Sequence, residues 1–412
     1  MTKNYETEAP GYTMTTVMEE AARCLLCHDA PCSQMCPAHT DPGKFIRSVR
    51  FRNLKGAAET VRENNAMGAI CARVCPTEKY CELACSRTGI DKPIDIGGIQ
   101  RFVTDFEQQS EMDILKKGEA NGKSIAIVGS GPAGLQTATT MLERGYAVDI
   151  YEKSEKAGGY LTYGIPEYRL PADIVDYEIK RIINLGAKIH YNVTIGKDMM
   201  MDELKANNDA VIVAVGASEA KVLPMFEGNQ YVESAVDFLA RVKEANGNIK
   251  DLPTSAIVIG GGDVAMDVAT TLKRLNVEHV TDVTYEQFDE FRASKKELEG
   301  TQRVGVTIVD GYVPDSIEGN AVTFKARNMD SKLTIKAEKV ILAIGQQVNA
   351  DNLGINIEHG VVPYAGYKTD DPKVFVTGDI AQGDQTVVWA VRKGKEVADL
   401  IDSELMGVQN ND

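Results

Sequence analysis

Several features of other protein classes are missing from this sequence. It contains no run of about 18 apolar residues, so we expect no membrane-spanning helix. Its start, MTKNYETEAPGYT, lacks a basic segment followed by an apolar one, which argues against a secretion signal and favours the cytoplasm. Basic residues are in the minority, 45 against 60 acidic ones, and the net charge of −15 argues against nucleic acid or an anionic membrane as a partner.

Histidine is scarce, and cysteine is confined to one stretch. The five histidines are scattered and form neither a nucleophile–base pair nor a metal pair, so we predict no catalytic side chain. No cysteine follows residue 85, and all eight fall into two groups. The first group is Cys24, Cys27, Cys32 and Cys36, followed by Pro37, and the second is Cys71, Cys75, Cys81 and Cys85, with Pro76 after Cys75.

Grouped cysteines in a reducing compartment are more often metal or redox ligands than disulfides. Ligand runs for iron–sulfur clusters often send the cysteine before a proline to the other cluster. On this basis the spacing predicts two [4Fe–4S] clusters, with Cys36 crossing over from the first group to join the second. A pair of structural zinc sites is the alternative, because His28 lies inside the first group, although the spacings do not make a zinc ribbon.

The rest of the chain has the pattern of an α/β protein. Helical patterns cover residues 14–26, 43–64 and 96–109, and the polar stretch 111–122 is typical of a linker. Beyond it, short apolar runs alternate with helical patterns, as in doubly wound α/β folds. The predicted strands are Ile125–Val128, Val148–Tyr151, Ala210–Val215, Ala256–Ile259, Val280–Thr284, Val304–Val309, Val340–Ile344 and Val374–Thr377.

The glycine-rich motif VGSGPAG follows the first of these strands and opens a helix. Gly129 permits the tight turn, and Gly131 lets a pyrophosphate approach the backbone and the helix N-terminus. Gly134, next to Ala133, lets the helix pack on the sheet. Glu152 ends the next strand, where a ribose-binding carboxylate is expected. The motif therefore predicts a dinucleotide site.

A second motif, VIGGGDVAMDVA, repeats the strand–turn–helix plan. Alanine takes the place of the third glycine, which is tolerated where helix and strand pack slightly further apart. The residues predicted to bind the second nucleotide are Gly260, Gly262, Asp263, Val264 and Ala265.

The motifs CLLCHDAPCSQMCPAHTDPGKFI, GAICARVCPTEKYCELAC and PIDIGGIQRF resemble the N-terminal domain of dihydropyrimidine dehydrogenase. The small subunit of glutamate synthase is similar in layout, but it has three residues between the cysteines corresponding to Cys75 and Cys81. This chain has five there, PTEKY, as dihydropyrimidine dehydrogenase does. The glutamate synthase type also carries a glutamate where this chain has Gln100.

This resemblance implies a ligand set for each cluster. One cluster is assigned to Cys24, Cys27, Cys32 and Cys85, and the other to Cys36, Cys75, Cys81 and Gln100. Cys71 then lies near the site without binding a cluster. The spacing alone leaves open a second cluster that Cys71, and not Gln100, completes.

The segments VFVTGDIAQG and GGYLTYGIPEYRLP resemble parts of the flavin-containing, disulfide-reductase-like superfamily and of the glutamate synthase small-subunit family. The resemblance implies that the first glycine motif binds FAD, that Asp379 binds the ribityl chain, and that Gly159 lies in a flavin-contacting stretch. The second motif is then the NAD(H) site.

The residues after the strand that follows the second motif bear on coenzyme choice. NADPH-using relatives carry a pair of arginines there, and this chain has Tyr285 and Glu286. A carboxylate repels a 2′-phosphate but accepts a hydrogen bond from a 2′-hydroxyl, so Glu286 predicts NADH. Ala265 and Arg292 favour NADPH, which stays as the alternative.

The resemblance covers nearly the whole chain and implies an enzyme subunit that works in electron transfer. The expected fold is an α-helical iron–sulfur domain (residues 1–115) followed by two Rossmann-like, disulfide-reductase-like domains. FAD is expected in residues 121–217 and 350–412, and NAD in residues 218–349.

The chain has no room for an FMN-bearing barrel and no further cluster-binding run near its C-terminus. We therefore expect a larger partner that carries FMN and iron–sulfur clusters. Electrons would pass from NADH through FAD and two clusters to this partner, which interconverts uracil or thymine and 5,6-dihydropyrimidines. The alternative is the same module serving glutamate synthase or an NADH–ferredoxin oxidoreductase.

Overall fold

The computed structural model of the chain describes residue 5 and residues 8–358, 361–363 and 366–407. In this part of the chain, no helix is both long and apolar enough to cross a bilayer. His359 and the outermost predicted domain limits, residues 1 and 412, lie outside the described residues.

Helices dominate the N-terminal segment, and strands alternate with helices from residue 124 onwards. The N-terminal helices are α1 Met14–Ala22, α2 Pro31–Gln34, α3 Pro42–Arg50, α4 Leu54–Asn64, α5 Gly68–Val74 and α6 Ile96–Gln109. The next elements are β1 Ser124–Val128, α7 Pro132–Glu143, β2 Ala147–Glu152, α8 Tyr160–Tyr163, α9 Ala172–Leu185, β3 Lys188–Tyr191, α10 Met201–Asn207 and β4 Ala210–Val213.

The second half of the α/β region begins with two short strands. Its elements are β5 Glu219–Ala220, β6 Val232–Ser234, α11 Ala235–Glu244, β7 Ser255–Ile259, α12 Asp263–Arg274, β8 His279–Val283, α13 Lys295–Arg303, β9 Thr307–Val309, β10 Tyr312–Glu318, β11 Ala321–Ala326, β12 Lys332–Lys336, β13 Lys339–Leu342 and β14 Gln346–Gln347. The chain then forms β15 Val374–Val376 and α14 Val387–Met406.

The N-terminal helices start at capping side chains and enclose their own core. At the starts of α1, α3, α4 and α6, the side chains of Thr13, Asp41, Asn53 and Asp95 accept a hydrogen bond from the third helical N–H. Each cap satisfies one of the donors that a helix start leaves open. The core that these helices enclose includes Phe45, Ile46, Val49, Ile99 and Val103.

Two of the predicted helices have different bounds in the structure. The predicted helix over residues 43–64 is two helices, because Arg52 has φ +59°, in the left-handed region, and Asn53 then caps α4. The predicted helix over residues 14–26 ends at Ala22. The third, over residues 96–109, has the bounds of α6.

Contacts divide the described chain into two compact units. The larger unit contains residues 10–162, 172–217 and the described part of 348–412. The smaller unit contains residues 163–171, 218–347 and the described part of 1–9. The N-terminal helices and the first glycine motif therefore share one unit, and the second glycine motif lies in the other.

The sheet of the larger unit is parallel throughout, with the strand order β15–β4–β1–β2–β3. Two of its helices, α7 and α14, touch closely, since Thr137 Oγ1 donates to Gly394 O at 3.0 Å. A Cβ at Gly394 would lie 2.6 Å from Ala133 O, so only glycine allows this approach.

The smaller unit contains a second parallel sheet, in the order β6–β13–β7–β8–β9. An antiparallel sheet, β10–β11–β12, lies in the chain between β9 and β13 and was not predicted. The predicted strand over residues 304–309 begins only at Thr307, because Val304 caps the end of α13 and Gly305 turns the chain with φ +88°.

Four charges meet inside the larger unit: Arg62, Glu107 and Glu178 are buried, and Arg181 is partly buried. Arg62 contacts a carboxylate oxygen of Glu107 and one of Glu178, each at 2.8 Å. Arg181 contacts the same two carboxylates at 3.0 and 2.8 Å. Because Arg62 is on α4, Glu107 on α6 and the other two on α9, this charge network joins the helical segment to the α/β part of the unit.

Removing one member of such a network leaves a buried charge without compensation. We expect Arg62→Met to lower the free energy of unfolding by about 3–5 kcal/mol. Lys44→Met is the matched control, because the Lys44–Glu63 pair is more than half exposed and such pairs contribute about 0–1 kcal/mol. Unfolding by guanidinium chloride, followed by circular dichroism, measures the free energy of unfolding of both variants. Equal losses of stability in the two variants would contradict the role given to the network.

Candidate functional site

The four cysteines assigned to the first cluster line one cavity in the larger unit. These are Cys24, Cys27, Cys32 and Cys85. Burial raises the pKa of Cys32 to about 11, and the nearby thiols of Cys85 and Cys24 add to the shift. In the described residues, no three Cys, His, Asp or Glu side chains converge closely enough to hold a single metal ion. The thiols surround a space, which fits a cluster in which each iron takes its own thiolate.

The loop between the first two of these cysteines is strained. Leu26 has φ +52°, a conformation that costs a branched side chain energy and persists only where the surroundings demand it. The Leu26 backbone donates to the thiol of Cys24. The backbone at Leu26 therefore directs a hydrogen bond at the sulfur of Cys24, and hydrogen bonds to ligand sulfurs are one influence on cluster potential.

The structure brings Cys36 to the second group of cysteines. Burial raises the pKa of Cys75 well above its usual value, and the neighbouring thiols of Cys71, Cys81 and Cys36 add to this shift. Around Cys36, backbone N–H groups of Thr40 and Ala38 donate to the sulfur. The structure therefore places Cys36 near Cys75, and the crossing over of Cys36 as a cluster ligand stays a prediction.

Gln100 is buried on α6 beside the same group. Its Nε2 donates to Gly68 O at 2.8 Å, at the start of the helix that carries Cys71, so its Oε1 is the atom left for a metal. One turn earlier, the N–H groups of Ile96 and Gly97 donate to the carboxylate of Glu82, next to Cys81. Cys71 is near Cys75 and Cys36, and its thiol accepts a hydrogen bond from the Asn65 amide. Both candidates for the fourth ligand are thus present.

The second group also lies next to the C-terminal helix of the same unit. Lys395 Nζ, on α14, donates to Ala38 O at 3.1 Å and to Asn64 Oδ1 at 2.9 Å. Tyr80, inside the PTEKY stretch, places its hydroxyl 3.4 Å from Asp384 Oδ2, just before α14. The cysteine segment and the flavin-type segment therefore meet at Cys36 and at PTEKY.

The first glycine motif has the geometry of a pyrophosphate-binding turn. Gly129 has φ +103°, and a Cβ there would lie 2.5 Å from Ala214 O. No atom within 4 Å would meet a Cβ at Gly131, which starts α7 and faces open space. A Cβ at Gly159 would lie 3.1 Å from Gly131 Cα. Open helix N–H groups beside free space fit a bound pyrophosphate.

Glu152 lies at this turn as predicted, and the protein already uses much of its carboxylate. The backbone N–H and hydroxyl of Ser130 donate to one oxygen, and the N–H of Ser154 donates to the other at 2.8 Å. A carboxylate has about four acceptor positions, so one remains for a ribose hydroxyl.

Asp379 approaches the same turn from the other end of the chain. A Cβ at Gly378 would lie 2.9 Å from the Cβ of Ala133, so the Gly-Asp pair packs directly on the first motif. Burial raises the pKa of Asp379, and Lys393 opposes this shift. The hydroxyl of Thr377 is fully buried and has no partner in the described protein, which fits a ligand with polar groups at this point.

Lys393 was not predicted as a site residue. Its Nζ donates to the carbonyl oxygens of Gly378, Ala381 and Asp384 at 3.1–3.2 Å, so one ammonium group closes the loop before α14. Burial lowers its pKa, and Asp379 opposes this shift. The sequence feature that could have indicated Lys393 is a lysine on the otherwise apolar face of a long helix.

The second motif repeats the turn in the smaller unit. Gly260 has φ +155°, and a Cβ there would lie 2.3 Å from Ala343 O, while Gly262 starts α12 and faces open space. Asp263 Oδ1 accepts from Ser294 N at 2.6 Å and caps the start of α13. The next two residues belong to the packing of the helix, Val264 partly buried and Ala265 fully buried.

Glu286 lies directly against this turn. A Cβ at Gly261 would lie 2.3 Å from Glu286 Oε2 and from Thr284 Oγ1, and that hydroxyl donates to the carboxylate at 2.9 Å. Arg292, largely exposed, places Nε 3.1 Å from Glu286 Oε1. The carboxylate therefore stands where a ribose is expected, and the arginine of the NADPH alternative is paired with it.

Asp282 is a second residue that sequence analysis missed. It is fully buried on β8, and neither carboxylate oxygen has a donor in the described protein. Burial raises its pKa well above the usual value, and the charge of Glu286 adds to the shift. The signal in the sequence was an acidic residue inside a predicted buried strand.

Two family matches span most of the chain. Residues 1–112 match the family described as dihydropyrimidine dehydrogenase domain II, 4Fe-4S cluster. Residues 123–394 match the family described as pyridine nucleotide-disulphide oxidoreductase.

Curated relatives match over nearly the full length. The NAD-dependent dihydropyrimidine dehydrogenase subunit PreT of Escherichia coli (strain K12) is 53% identical over 407 residues, 98% of each chain. The glutamate synthase [NADPH] small chain of the same strain is 27% identical over 92% of this chain and 89% of that one.

Solved structures share the fold of the α/β part. FprA of Mycobacterium tuberculosis in complex with NADPH has a TM-score of 0.60 and 18% identity, over 69% of this chain and 85% of that one. The thioredoxin reductase of T. acidophilum has a TM-score of 0.56 and 18% identity, over 69% and 99%.

The fold, the two thiol groups and these matches define an NAD-dependent oxidoreductase that unites an iron–sulfur domain with a flavin-type pyridine nucleotide domain. The predicted fold class is confirmed. The chain belongs to the family of the PreT subunit of NAD-dependent dihydropyrimidine dehydrogenase, which confirms the resemblance drawn from the cysteine motifs. Glutamate synthase is a more distant relative.

The buried Asp282 predicts a pH-dependent stability. Its raised pKa means that the folded protein holds a proton which the unfolded chain releases above about pH 4, so its effect on stability becomes less favourable as pH rises. We expect Asp282→Asn to melt above the unmodified protein at about pH 8 and the difference to shrink towards about pH 5. Calorimetry over this range measures it, with the exposed Asp330→Asn as control. Parallel pH profiles for all three proteins would contradict the assignment.

Proposed function

We propose that this chain is the electron-input subunit of a two-subunit, NAD-dependent dihydropyrimidine dehydrogenase. It takes electrons from NADH through FAD and two [4Fe–4S] clusters and passes them to a larger partner. That partner carries FMN and further clusters and interconverts uracil or thymine and 5,6-dihydropyrimidines. The main support is that two thiol groups pack in the same unit as the first glycine motif, in a chain 53% identical to PreT subunits.

The nucleotide sites are assigned to the two glycine motifs. Residues 121–217 and 350–412 form the proposed FAD domain, with Gly129, Gly131 and Ala133 at the pyrophosphate and Asp379 at the ribityl chain. Residues 218–349 form the proposed NAD domain. Bound flavin would accept a hydride and pass its electrons on one at a time. Nicotinamide does not provide such single-electron steps. The protein then has only to bind and orient the cofactors, so no catalytic side chain is predicted.

The two thiol groups are assigned to two clusters in residues 1–115. Cys36, Cys75 and Cys81, with Gln100 as the fourth ligand, hold the cluster next to the flavin segment. The contacts of Tyr80 and Lys395 support this position. Cys24, Cys27, Cys32 and Cys85 hold the cluster that is further along the route.

NADH is the proposed coenzyme because Glu286 stands against the second glycine turn. A 2′-phosphate at that turn would face a carboxylate, while a 2′-hydroxyl can donate to it. The pairing of Arg292 with Glu286 supports the same choice, since that guanidinium is already engaged. All eight cysteines are free thiols, which supports the cytoplasm as the proposed location.

The fourth ligand of the second cluster is testable by two matched substitutions. We expect Gln100→Ala to lower the iron content towards that of one cluster or to change the spectrum of one cluster only. Cys71→Ala should leave both clusters in place. Iron analysis and electron paramagnetic resonance of anaerobic samples measure this, and loss of a cluster in Cys71→Ala with none in Gln100→Ala would assign the ligand to Cys71.

The function as a whole is tested on the native complex. An affinity-tagged copy of the chain, purified anaerobically from its own host, should bring down a larger FMN-containing subunit. The complex should reduce uracil with NADH, with kcat/KM at least tenfold lower for NADPH. Activity with glutamine and 2-oxoglutarate, or with ferredoxin and not with uracil, would instead support the alternative functions.

A further inference from the structure

The backbone around Tyr285 is held at the nucleotide end of the second sheet. Its neighbours on both sides, Thr284 and Glu286, contact the position where a Cβ of Gly261 would stand. Thr284 O accepts from Tyr312 N at 3.0 Å, and Glu286 O accepts from Gly311 N at 3.0 Å. Tyr285 is therefore one residue away from the carboxylate that faces the expected ribose.

The ring of Tyr285 is exposed on one side and supported on the other. The residue is 56% exposed. The guanidinium carbon of Arg327 lies 3.9 Å from the ring centroid, and the same side chain donates to Tyr285 O at 2.9 Å. Arg327 is itself held by Glu290 at 2.9 Å. The ring is thus ordered before any ligand arrives, so little conformational entropy is lost on stacking.

An exposed, rigid aromatic ring is a surface on which another flat ring can stack, and cation–π contact from behind holds it in place. Next to it, Phe288 is also 56% exposed and packs edge to face on Phe291 at 5.4 Å. These rings lie beside a ribose-facing carboxylate, so the flat group that belongs there is the base attached to that ribose.

We propose that Tyr285, supported by Arg327, is the stacking platform for the adenine ring of NADH. This proposal rests on the proposed function and adds Tyr285 as a residue that binds the adenylate half of the coenzyme. The aromatic ring supplies the stacking surface. The guanidinium of Arg327, the residue that follows β11, supports the ring at 3.9 Å from its centroid.

The test compares two coenzymes that differ by the adenylate group. We expect Tyr285→Ala in the native complex to lower kcat/KM for NADH about 5- to 100-fold, the range for losing one base–aromatic stack. Reduced nicotinamide mononucleotide lacks adenine, so its kcat/KM should change less than about twofold, with ferricyanide as acceptor for both. Tyr285→Phe keeps the ring and should keep both activities.

The outcomes separate this proposal from the proposed function. Equal losses with both coenzymes, or no loss with either, would overturn the adenine platform. Calorimetric binding of ADP-ribose gives a second measurement that needs no turnover, and Tyr285→Ala should weaken it by the same factor. If the unmodified complex does not oxidise NADH but binds ADP-ribose through Tyr285, the proposed function fails and the platform stands.

Discussion

The larger unit depends on the charge network of Arg62, Glu107, Glu178 and Arg181, of which the first three are buried. None of these charges can be buried alone, so the helices that carry them must come together in one arrangement. Glu178 does more than pair with arginine, because its Oε1 also accepts from Ala69 N at 3.0 Å, in the first turn of α5. That helix carries Cys71 and leads into Cys75. The network therefore sets where the second thiol group stands relative to the sheet.

The two glycine turns have the same backbone plan. Different groups surround the carboxylate at each turn, which is Glu152 at the first and Glu286 at the second. Glu152 accepts three hydrogen bonds from its own loop, and these fix its orientation before a ligand binds. Glu286 accepts from Thr284 and pairs with Arg292, which is mostly exposed. The carboxylate at the first turn is thus held by three hydrogen bonds from the protein, and the carboxylate at the second turn by one hydrogen bond and one ion pair.

The parts that could be predicted from sequence are those with short-range patterns. The cysteine groups, the glycine turns and the apolar strands each depend on residues close together in the chain, and the proline after Cys36 was enough to predict that Cys36 lies near the second group. The break in the helix over residues 43–64 was also within reach, since Asn53 before a helical run is a capping signal. The antiparallel sheet β10–β11–β12 was missed because its strands are largely polar, with only Val322 and Phe324 fully buried.

The missed residues could be recognised only from the packed structure. Arg62 meets Glu178 across more than a hundred residues, and no local pattern relates them. Lys393 and Asp282 are charged residues at buried positions, and only the packed structure tells whether such a charge is satisfied. Lys393 has three carbonyl partners, and Asp282 has no donor in the described protein.

One feature of the larger sheet bears on biosynthesis. Strand β15 pairs with β4, yet residues 218–347 of the smaller unit are translated between them. On the ribosome, β4 emerges with one edge unpaired, because its partner β15 is synthesised only near the end of the chain. Because domains tend to fold as units when they emerge, the smaller unit has time to form first, and the flavin-type sheet closes last. The Gly-Asp pair after β15 then packs against the first glycine turn only after nearly the whole polypeptide has been synthesised.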